Sequence, residues 1–469
     1  MNGWVESGAA VRIDVLVVGA GPTGLTAAIE CLRQGLSVRV VDRREQRAEG
    51  SKALVVHART MEAFRAMEVA EEIRSIGLPF AALNVFPDAR PPAIRVPLDR
   101  EADWGDTEFP YWLSAPQVEV ERCLERRLGS LGGEVEWAQG LLDMHQDDSG
   151  VHAQLAGGEC DARWLVGCDG GRSTLREQLG IRMERRDDGQ LFVLADVLTR
   201  DEFPDDEGRV YRSRKGLTLI VPMPEPRRFR LIAHLPRLVD PPLIDASFVD
   251  QLVLDRTGVA LGAHSVGWTS HVFLSHGQSQ KMRRGRAFLA GDAAHLHSPV
   301  GGQGLNAGVQ DAHDLIWKIA AAERGAPGWL ESYEAERSVL AGRLVRAVTL
   351  ATRVMTLQRL VPWALTARVA RIALSTGPLQ RQLTRRMGML EQKLPPGPGV
   401  DKTPWAGRRL PNPFVGEQRM HDRIDPLRPS IVELPEGGVV VVRPDRVVVG
   451  RYPSATAIPP RIQSLLVEP

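Results

Sequence analysis

Cysteine is scarce in this chain of 469 residues. There are four, Cys31, Cys123, Cys160 and Cys168, with no C-x-x-C pair and no zinc-ligand spacing, so neither a disulfide scaffold nor a metal site is expected. We read them as reduced thiols of a cytoplasmic protein. Net charge is equally scarce: 59 Lys and Arg face 58 Asp and Glu, which disfavours a nucleic-acid binder working through bulk positive charge. Long apolar runs are missing. The uncharged run from Val15 to Ile29 is 15 residues long and is broken by Gly19, Gly21, Pro22 and Gly24, so it cannot cross a bilayer. Met1 to Ala10, ahead of the first apolar strand, lacks a basic n-region and an h-region, and no targeting segment is expected. Internal repeats and low-complexity tracts are absent as well. What is there is an ordinary globular composition, 43% hydrophobic and 25% charged, with a mean hydropathy of -0.17. The length suits two or three domains around a large core.

Strand and helix signals alternate from the start. Val11 to Val18 is a β-branched run of the kind buried on both faces of a parallel sheet. Pro22 to Gln34 reads as a helix with proline in its first turn and Gly35 past its end, and Ser37 to Asp42 as the next strand. This predicts one right-handed β-α-β unit. Gln117 to Gly129 reads as a helix and Arg163 to Cys168 as a strand. Alternating stretches at Thr218–Met223, Arg228–His234 and Val266–Phe273 predict an antiparallel sheet forming one wall of a pocket. Strand and helix signals return at Ala287–Leu289 and Leu305–Ala322. Gly342 to Leu390 has nine arginines and no acid, with apolar Leu344, Val348, Ala351 and Met355 at helical spacing and breaks at Pro362 and Gly377-Pro378. A helical layer with a solvated basic face fits better than a membrane-surface helix. PPGPGVDKTPW after Leu394 reads as a linker, followed by a small β-rich tail around Gly438–Gly450.

Gly19-Ala20-Gly21-Pro22-Thr23-Gly24 is a G-x-G-x-x-G between a strand and a helix. The first glycine permits the tight turn, the second lets backbone approach a pyrophosphate, and the third allows close helix–strand packing. The helix N-terminus then offers free N–H groups and a positive dipole end. Asp42, 18 residues after Gly24, is placed to accept hydrogen bonds from a ribose. The motif alone does not separate FAD from NAD(P).

Two later segments do. Residues 167–176 (GCDGGRSTLR) and 291–311 (GDAAHLHSPVGGQGLNAGVQD), with the first motif, resemble the three signatures of flavin-dependent aromatic hydroxylases of the p-hydroxybenzoate hydroxylase-like class. The likeness is to the polyketide and antibiotic hydroxylase branch and spans roughly residues 11–395. It implies an α/β fold: a Rossmann-like FAD-binding domain (1–180 and 281–395), an inserted antiparallel-sheet substrate domain (181–280, with part of 80–112), and a short thioredoxin-like remnant (396–469) without cysteine. Carried over, it assigns FAD contacts to Gly19, Gly21, Pro22, Thr23, Gly24, Asp42 and Arg43. Gln117, in L-x-x-x-Q-x-x-x-E with Glu121, would lie near the ribityl chain. Asp169 and Gly170 would serve FAD and NAD(P)H, and Gly291 and Asp292 the ribityl and pyrophosphate region. Pro299, Gly301, Gly302, Gly304, Leu305 and Asn306 would flank the isoalloxazine ring. Where the family often has arginine this chain has Lys52, so either Lys52 or Arg59 would contact the phosphates.

The resemblance implies a single-component monooxygenase: NADPH or NADH reduces the flavin, O₂ adds to give a C4a-hydroperoxide, and an aromatic small molecule is hydroxylated. The cofactor carries the chemistry, so the absence of an obvious acid–base dyad or metal cluster is expected. Trp112, Tyr211, Leu219, Val221 and Phe229 are candidate substrate contacts, with core packing the competing reading for each. His57 and His234 read as structural rather than as bases. His295 and His297 lack the further ligands a zinc site needs. Baeyer–Villiger oxygenation on the same scaffold and a non-catalytic flavin-binding protein remain alternatives; a halogenase is disfavoured because no W-x-W-x-I-P occurs. A monomer or homodimer is expected, with no nucleic-acid or membrane partner.

Overall fold

Ile13–Val18 forms the middle of a parallel sheet because its valines and leucine can be covered on both faces; Val15, Leu16 and Val17 are 0% exposed. The computed structural model describes residues 12–466 apart from 51, 88, 90, 92, 100–103, 201–203, 214, 236–241, 297–300, 357–367, 369–371, 373–376 and 404. Ile13–Val18 pairs in parallel with Val38–Val41 on one side and Gly158–Gly167 on the other. Ala287–Leu289 and Val135–Glu136 extend the sheet, also in parallel. The helices used below are α1 (Pro22–Arg33), α2 (Ala58–Ala66), α3 (Ala70–Ser75), α4 (Gln117–Ser130), α5 (Thr174–Gln178), α6 (Ala246–Thr257), α7 (Gly304–Glu323) and α8 (Gly328–Thr356). α1 packs against α4 and α7.

A second sheet of eight strands runs in the order His295–Leu296, Ala263–Ser279, Met183–Thr199, Arg228–Leu235, Gly216–Pro222, Glu207–Ser213, Ala82–Phe86, Ile94–Pro97. All its pairs are antiparallel except Glu207–Ser213 with Ala82–Phe86. Strand alternation gives it two faces. One is covered by α6, where Leu191, Val193, Leu231, Val249 and Val253 form a core. The other carries Phe192, Leu194, Val210, Leu217 and Ile232, with Leu219 reaching the core of the first sheet. The strand Met183–Thr199 escaped the sequence reading because its first half, MERRDDGQ, is charged; long pairing with Ala263–Ser279 overrides that local signal.

The tail is a three-stranded antiparallel sheet, Ser430–Glu433, Val439–Val442 and Val448–Tyr452. Both its faces are buried. Val439, Val441 and Val449 pack on Trp317 of α7 and Trp329 of α8, and Val440, Val442 and Val448 pack on Leu410, Met420 and Ile424. The segment expected to be a linker is packed instead: Leu394 and Val400 are 4% and 1% exposed, and the Asp401 N–H donates to the Val449 carbonyl. Its prolines and glycines shape tight turns against the tail rather than loosening the chain. Along the arginine-rich stretch, Val348 is buried, Leu344 half-buried and Ala351 exposed, while Pro362 lies outside the described residues. Among the described residues no helix is long and apolar enough to cross a membrane.

Candidate functional site

The three glycine-bearing turns meet. Gly19 has φ +105, and a Cβ there would sit 2.4 Å from the Cys168 carbonyl oxygen, so the first turn lies directly on the second. A Cβ on Gly24 would lie 1.7 Å from the Gly19 carbonyl oxygen; the third glycine keeps the loop closed on itself, a tighter duty than the helix–strand packing expected of it. Thr23 on α1 fills the space beside Gly291 and Gly308, tying the first turn to the third. Buried Arg176 of α5 donates to the carbonyls of Ala293 (3.0 Å) and Gly171 (2.9 Å), tying the second to the third.

Around Gly21 the space is open: a Cβ added there would meet nothing within 4 Å. α1 begins there without a side-chain cap, leaving its first N–H groups and positive dipole end unmatched by protein. Among the described residues one buried carboxylate oxygen of Asp169 has no hydrogen-bond partner; its other oxygen accepts from the Leu175 N–H at 3.2 Å, and desolvation raises its pKa. Asp292 is open to solvent, yet desolvation dominates its raised pKa, with His295 and Lys52 pulling the other way: it lies in a recess. These features fit a dinucleotide phosphate bridge, which needs an uncapped helix start, backbone approach at Gly21, and polar groups awaiting a partner.

Asp42 clamps the loop. It accepts from the Ala20 N–H at 2.8 Å and from the backbone, Nε and Nη2 of Arg44 at 2.9, 3.0 and 2.9 Å. Burial raises its pKa, but the Arg44 bonds outweigh this and hold the carboxylate below its usual range. Any ribose contact would be shared with Arg44, a residue the sequence reading passed over. Arg43 is exposed beside it. Gln117 opens α4 and donates to Glu121 at 2.7 Å. Of the two phosphate candidates, Lys52 is exposed near Asp292, whereas Arg59 is buried and engaged with Glu62 (3.1 Å) and the Asp445 carbonyl of the tail. Arg59 is a docking residue for the tail.

Gly301 and Gly302 adopt left-handed φ of +89 and +60, Gly302 resting against Val55. Gly170 is left-handed too, at +79, with open space beside it. α7 starts at Gly304 with no side-chain cap, and Leu305 is half-buried. Asn306 is 0% exposed and commits its amide to backbone: Nδ2 donates to the carbonyls of Val55 (2.8 Å) and Gly302 (2.7 Å), and Oδ1 accepts the His57 N–H (2.8 Å). It shapes the turn at the start of α7. His57 Nε2 lies 3.0 Å from the Gly301 carbonyl, which can only accept, so Nε2 carries the proton. Burial lowers the pKa of this imidazole to about 4, which keeps it neutral. Pro299 and His297 lie outside the described residues.

A residue not singled out from sequence holds the third turn. Asp311 of α7 accepts from the Gly291 N–H (3.0 Å) and His295 Nε2 (2.6 Å) with one oxygen, and from Arg337 Nε (2.6 Å) with the other. Despite burial, Arg337 and His295 bring its pKa down to about 2. Its signal in the sequence was an acid on the buried stripe of a helix, which needs a partner.

The sheet face decides the substrate candidates. Leu219 pairs in register with Val210 and Ile232, and Val221 with Arg230, all on the face turned to the first domain. Tyr211 and Phe229 lie on the opposite face, under α6, with Tyr211 stacked on Phe86 at 4.4 Å. They are core residues, a correction that follows from the period of two. Trp112 is buried edge-on to His57, ring centroids 5.0 Å apart, and its indole N–H has no partner among the described residues. The same sheet face carries a polar pair absent from the sequence reading: Arg230 and Asp196, bonded at 2.6 and 2.8 Å, with Arg230 4.8 Å from the Trp268 ring. Among the described residues, no group of three His, Cys, Asp or Glu could hold a metal ion.

Residues 12–348 match the family described as FAD binding domain. The chain is 34% identical over 383 residues to 6-methylpretetramide 4-monooxygenase of Streptomyces rimosus, covering 80% of this chain and 68% of that protein. It is 34% identical over 339 residues to rifampicin monooxygenase of Rhodococcus hoagii, covering 70% and 68%. The solved structure of OxyS anhydrotetracycline hydroxylase from Streptomyces rimosus superposes with a TM-score of 0.78 at 27% identity, over 98% of this chain and 100% of that one. Aklavinone-11 hydroxylase, solved with FAD and aklavinone, shares the fold with a TM-score of 0.79 at 23% identity, over 98% and 99%. With its three turns welded around an open, uncapped helix start, this chain belongs to the FAD-binding-domain family of flavoprotein monooxygenases, and FAD is its cofactor.

Proposed function

We propose that the enzyme hydroxylates a flat aromatic substrate of the polyketide type, with NADPH or NADH as reductant and O₂ as the oxygen source. One observation carries this: the open side of the Gly21 turn and the recess at Asp292 belong to the domain that the apolar sheet face of Leu219 and Val221 packs against. Bound FAD would supply the redox chemistry, by which two electrons from NAD(P)H and one O₂ give one oxygen atom to the ring and one water molecule. The chain's own residues bind and orient. Backbone N–H groups at the start of α1 receive the pyrophosphate, Asp292 and Gln117 the ribityl region, with Lys52 beside the phosphates. Asp169 and Gly170 serve the same cofactor. Gly301 and Gly302 would let backbone approach the ring without side chains between.

Leu219, Val221 and Trp112 exclude water from the substrate side, and the unpartnered indole N–H of Trp112 is the donor for a substrate oxygen. We assign no general base: His57 commits its Nε2–H to the Gly301 carbonyl, and burial lowers its pKa to about 4, which leaves its Nδ1 only weakly basic. The names of the relatives, tetracycline-pathway and rifampicin monooxygenases, favour a polyketide or antibiotic substrate. Hydroxylation and Baeyer–Villiger insertion both add one oxygen, so the product's connectivity separates them.

A second reading has a specific source: the Diels-Alderase PyrE3 shares the fold with a TM-score of 0.76 at 26% identity, over 97% of this chain and 99% of that one. The discriminating experiment follows NAD(P)H consumption across aromatic polyketides, with mass spectrometry of the product. Substrate-stimulated consumption and one added oxygen support oxygenation. A converted substrate of unchanged mass, without NAD(P)H loss, supports the non-oxidative reading.

A further inference from the structure

Away from the three glycine-bearing turns the described residues enclose a small cavity that nothing above uses. It lies where α2, α7 and the tail meet and has a volume of about 30 Å³, room for one or two particles the size of water or chloride. Its wall is rich in guanidinium: Arg59, Arg337, Arg409 and Arg446 line it, with Glu62 and Asp445. Three of the four cations are matched. Arg337 pairs with Asp311 at 2.6 Å, Arg409 with Glu62 at 2.6 Å and Asp106 at 2.9 Å, and Arg59 with Glu62 at 3.1 Å. The Asp445 carboxylate is taken by Arg443, at 3.0 and 2.8 Å.

Arg446 is the exception. It is 9% exposed, the hydrogen bond of its side chain runs from Nη1 to the Pro444 carbonyl at 2.9 Å, and among the described residues it pairs with no carboxylate. Its backbone sits at φ +63, a left-handed conformation that a non-glycine residue adopts only where the surroundings hold it. Burial, and then the nearby charge of Arg59, depress its pKa to about 10, outweighing the attraction of Glu62 and Asp445, whose own ion pairs are with other arginines. A guanidinium in such a place is unfavourable without a counter-charge. Glu62 does not serve, because it already bridges two arginines.

We propose that this cavity binds one small monovalent anion of the halide class at Arg446, beside Arg59, and that the anion fastens the tail to α2. A water molecule would satisfy hydrogen bonds there but leave the charge uncompensated, and a dinucleotide phosphate is too large for the space. None of the residues proposed to touch FAD or substrate lines this cavity, so the tests below decide the anion site whatever the outcome for the proposed oxygenation.

Crystals of the holoenzyme soaked in sodium bromide test it directly. An anomalous peak in the cavity at the Arg446 guanidinium is expected; water density there with no bromide signal overturns the proposal. In solution, thermal unfolding is followed at constant ionic strength while chloride replaces gluconate, which is too large to enter. The unfolding constant should fall about tenfold for each tenfold rise in chloride above its dissociation constant. Arg446→Met should abolish that dependence, and a dependence that persists in the variant overturns the assignment. Should the variant fail to fold, the bromide experiment on the unaltered protein still decides.

Discussion

Replacing Asp311 with Asn keeps the shape of the side chain but removes its charge and makes one of its two acceptor atoms a donor. Three bonds meet on this carboxylate, from Gly291, His295 and Arg337, all buried. Removing one partner of a buried ion pair costs about 3–5 kcal/mol, because the other charge is left behind. The part that reaches the cofactor is the bond to the Gly291 N–H, which sets the turn bearing Asp292. A hydrogen bond to a charged group is worth about 1.5–3 kcal/mol. Asp311→Asn should therefore weaken FAD binding by roughly tenfold to a hundredfold.

The pH dependence follows from the depressed pKa of about 2 in the folded protein. A carboxylate more acidic when folded than unfolded stabilises above its unfolded pKa, near 4, and loses that contribution as pH falls toward 2. The contribution is about 2–3 kcal/mol. The variant should lack this component of acid sensitivity. FAD titration by flavin fluorescence, with urea unfolding at several pH values, measures both. A folded variant that binds FAD within twofold of the parent would refute the reasoning.

Four further outcomes are expected. Gly21→Val should give a folded, colourless protein, since Gly21 has φ −79 and open space around it while the valine occupies room needed by phosphates; Gly24→Ala, whose Cβ meets the Gly19 carbonyl at 1.7 Å, should not fold well, and circular dichroism with FAD content separates the two. Asp292→Ala should purify soluble but depleted of FAD, read from the ratio of flavin to protein absorbance. Tyr211→Ala should lower stability by about 3–5 kcal/mol with little change in KM, whereas Leu219→Ala should raise KM, because Leu219 lies on the sheet face turned to the FAD-binding domain and Tyr211 on the opposite face. Arg443→Met should destabilise by about 3–5 kcal/mol, measured by urea unfolding, since it leaves Asp314 and Glu336 with Lys318 alone and takes from Asp445 the guanidinium that holds it at 2.8 Å.

The parts read well from sequence were those whose cause is local. Gly19, Gly21 and Gly24 are spaced by the turn they build, and Ile13–Val18 is apolar because both its faces are covered. The parts missed depend on partners distant in the chain. Asp311 meets His295 16 residues away and Arg337 26 residues away, so no short pattern announces the trio. Tyr211 could not be assigned a face until register with Phe86 and Thr218 fixed the alternation, nor Phe229 until register with Val197 and Pro222 did. The stretch after Leu394 resembled a linker because glycine and proline shape packed turns and free connections alike. Arg59 was offered as a phosphate ligand because its place in the fold is set by a tail almost four hundred residues on.

The central claim is that the three turns close on one FAD. The direct measurement is the flavin-to-protein ratio of the purified chain, from its visible absorbance after reconstitution and gel filtration. One FAD per chain in the parent, lost in Gly21→Val with the fold intact, is the predicted result. A parent protein that stays colourless with excess FAD, or a Gly21→Val variant that retains it fully, would contradict the account.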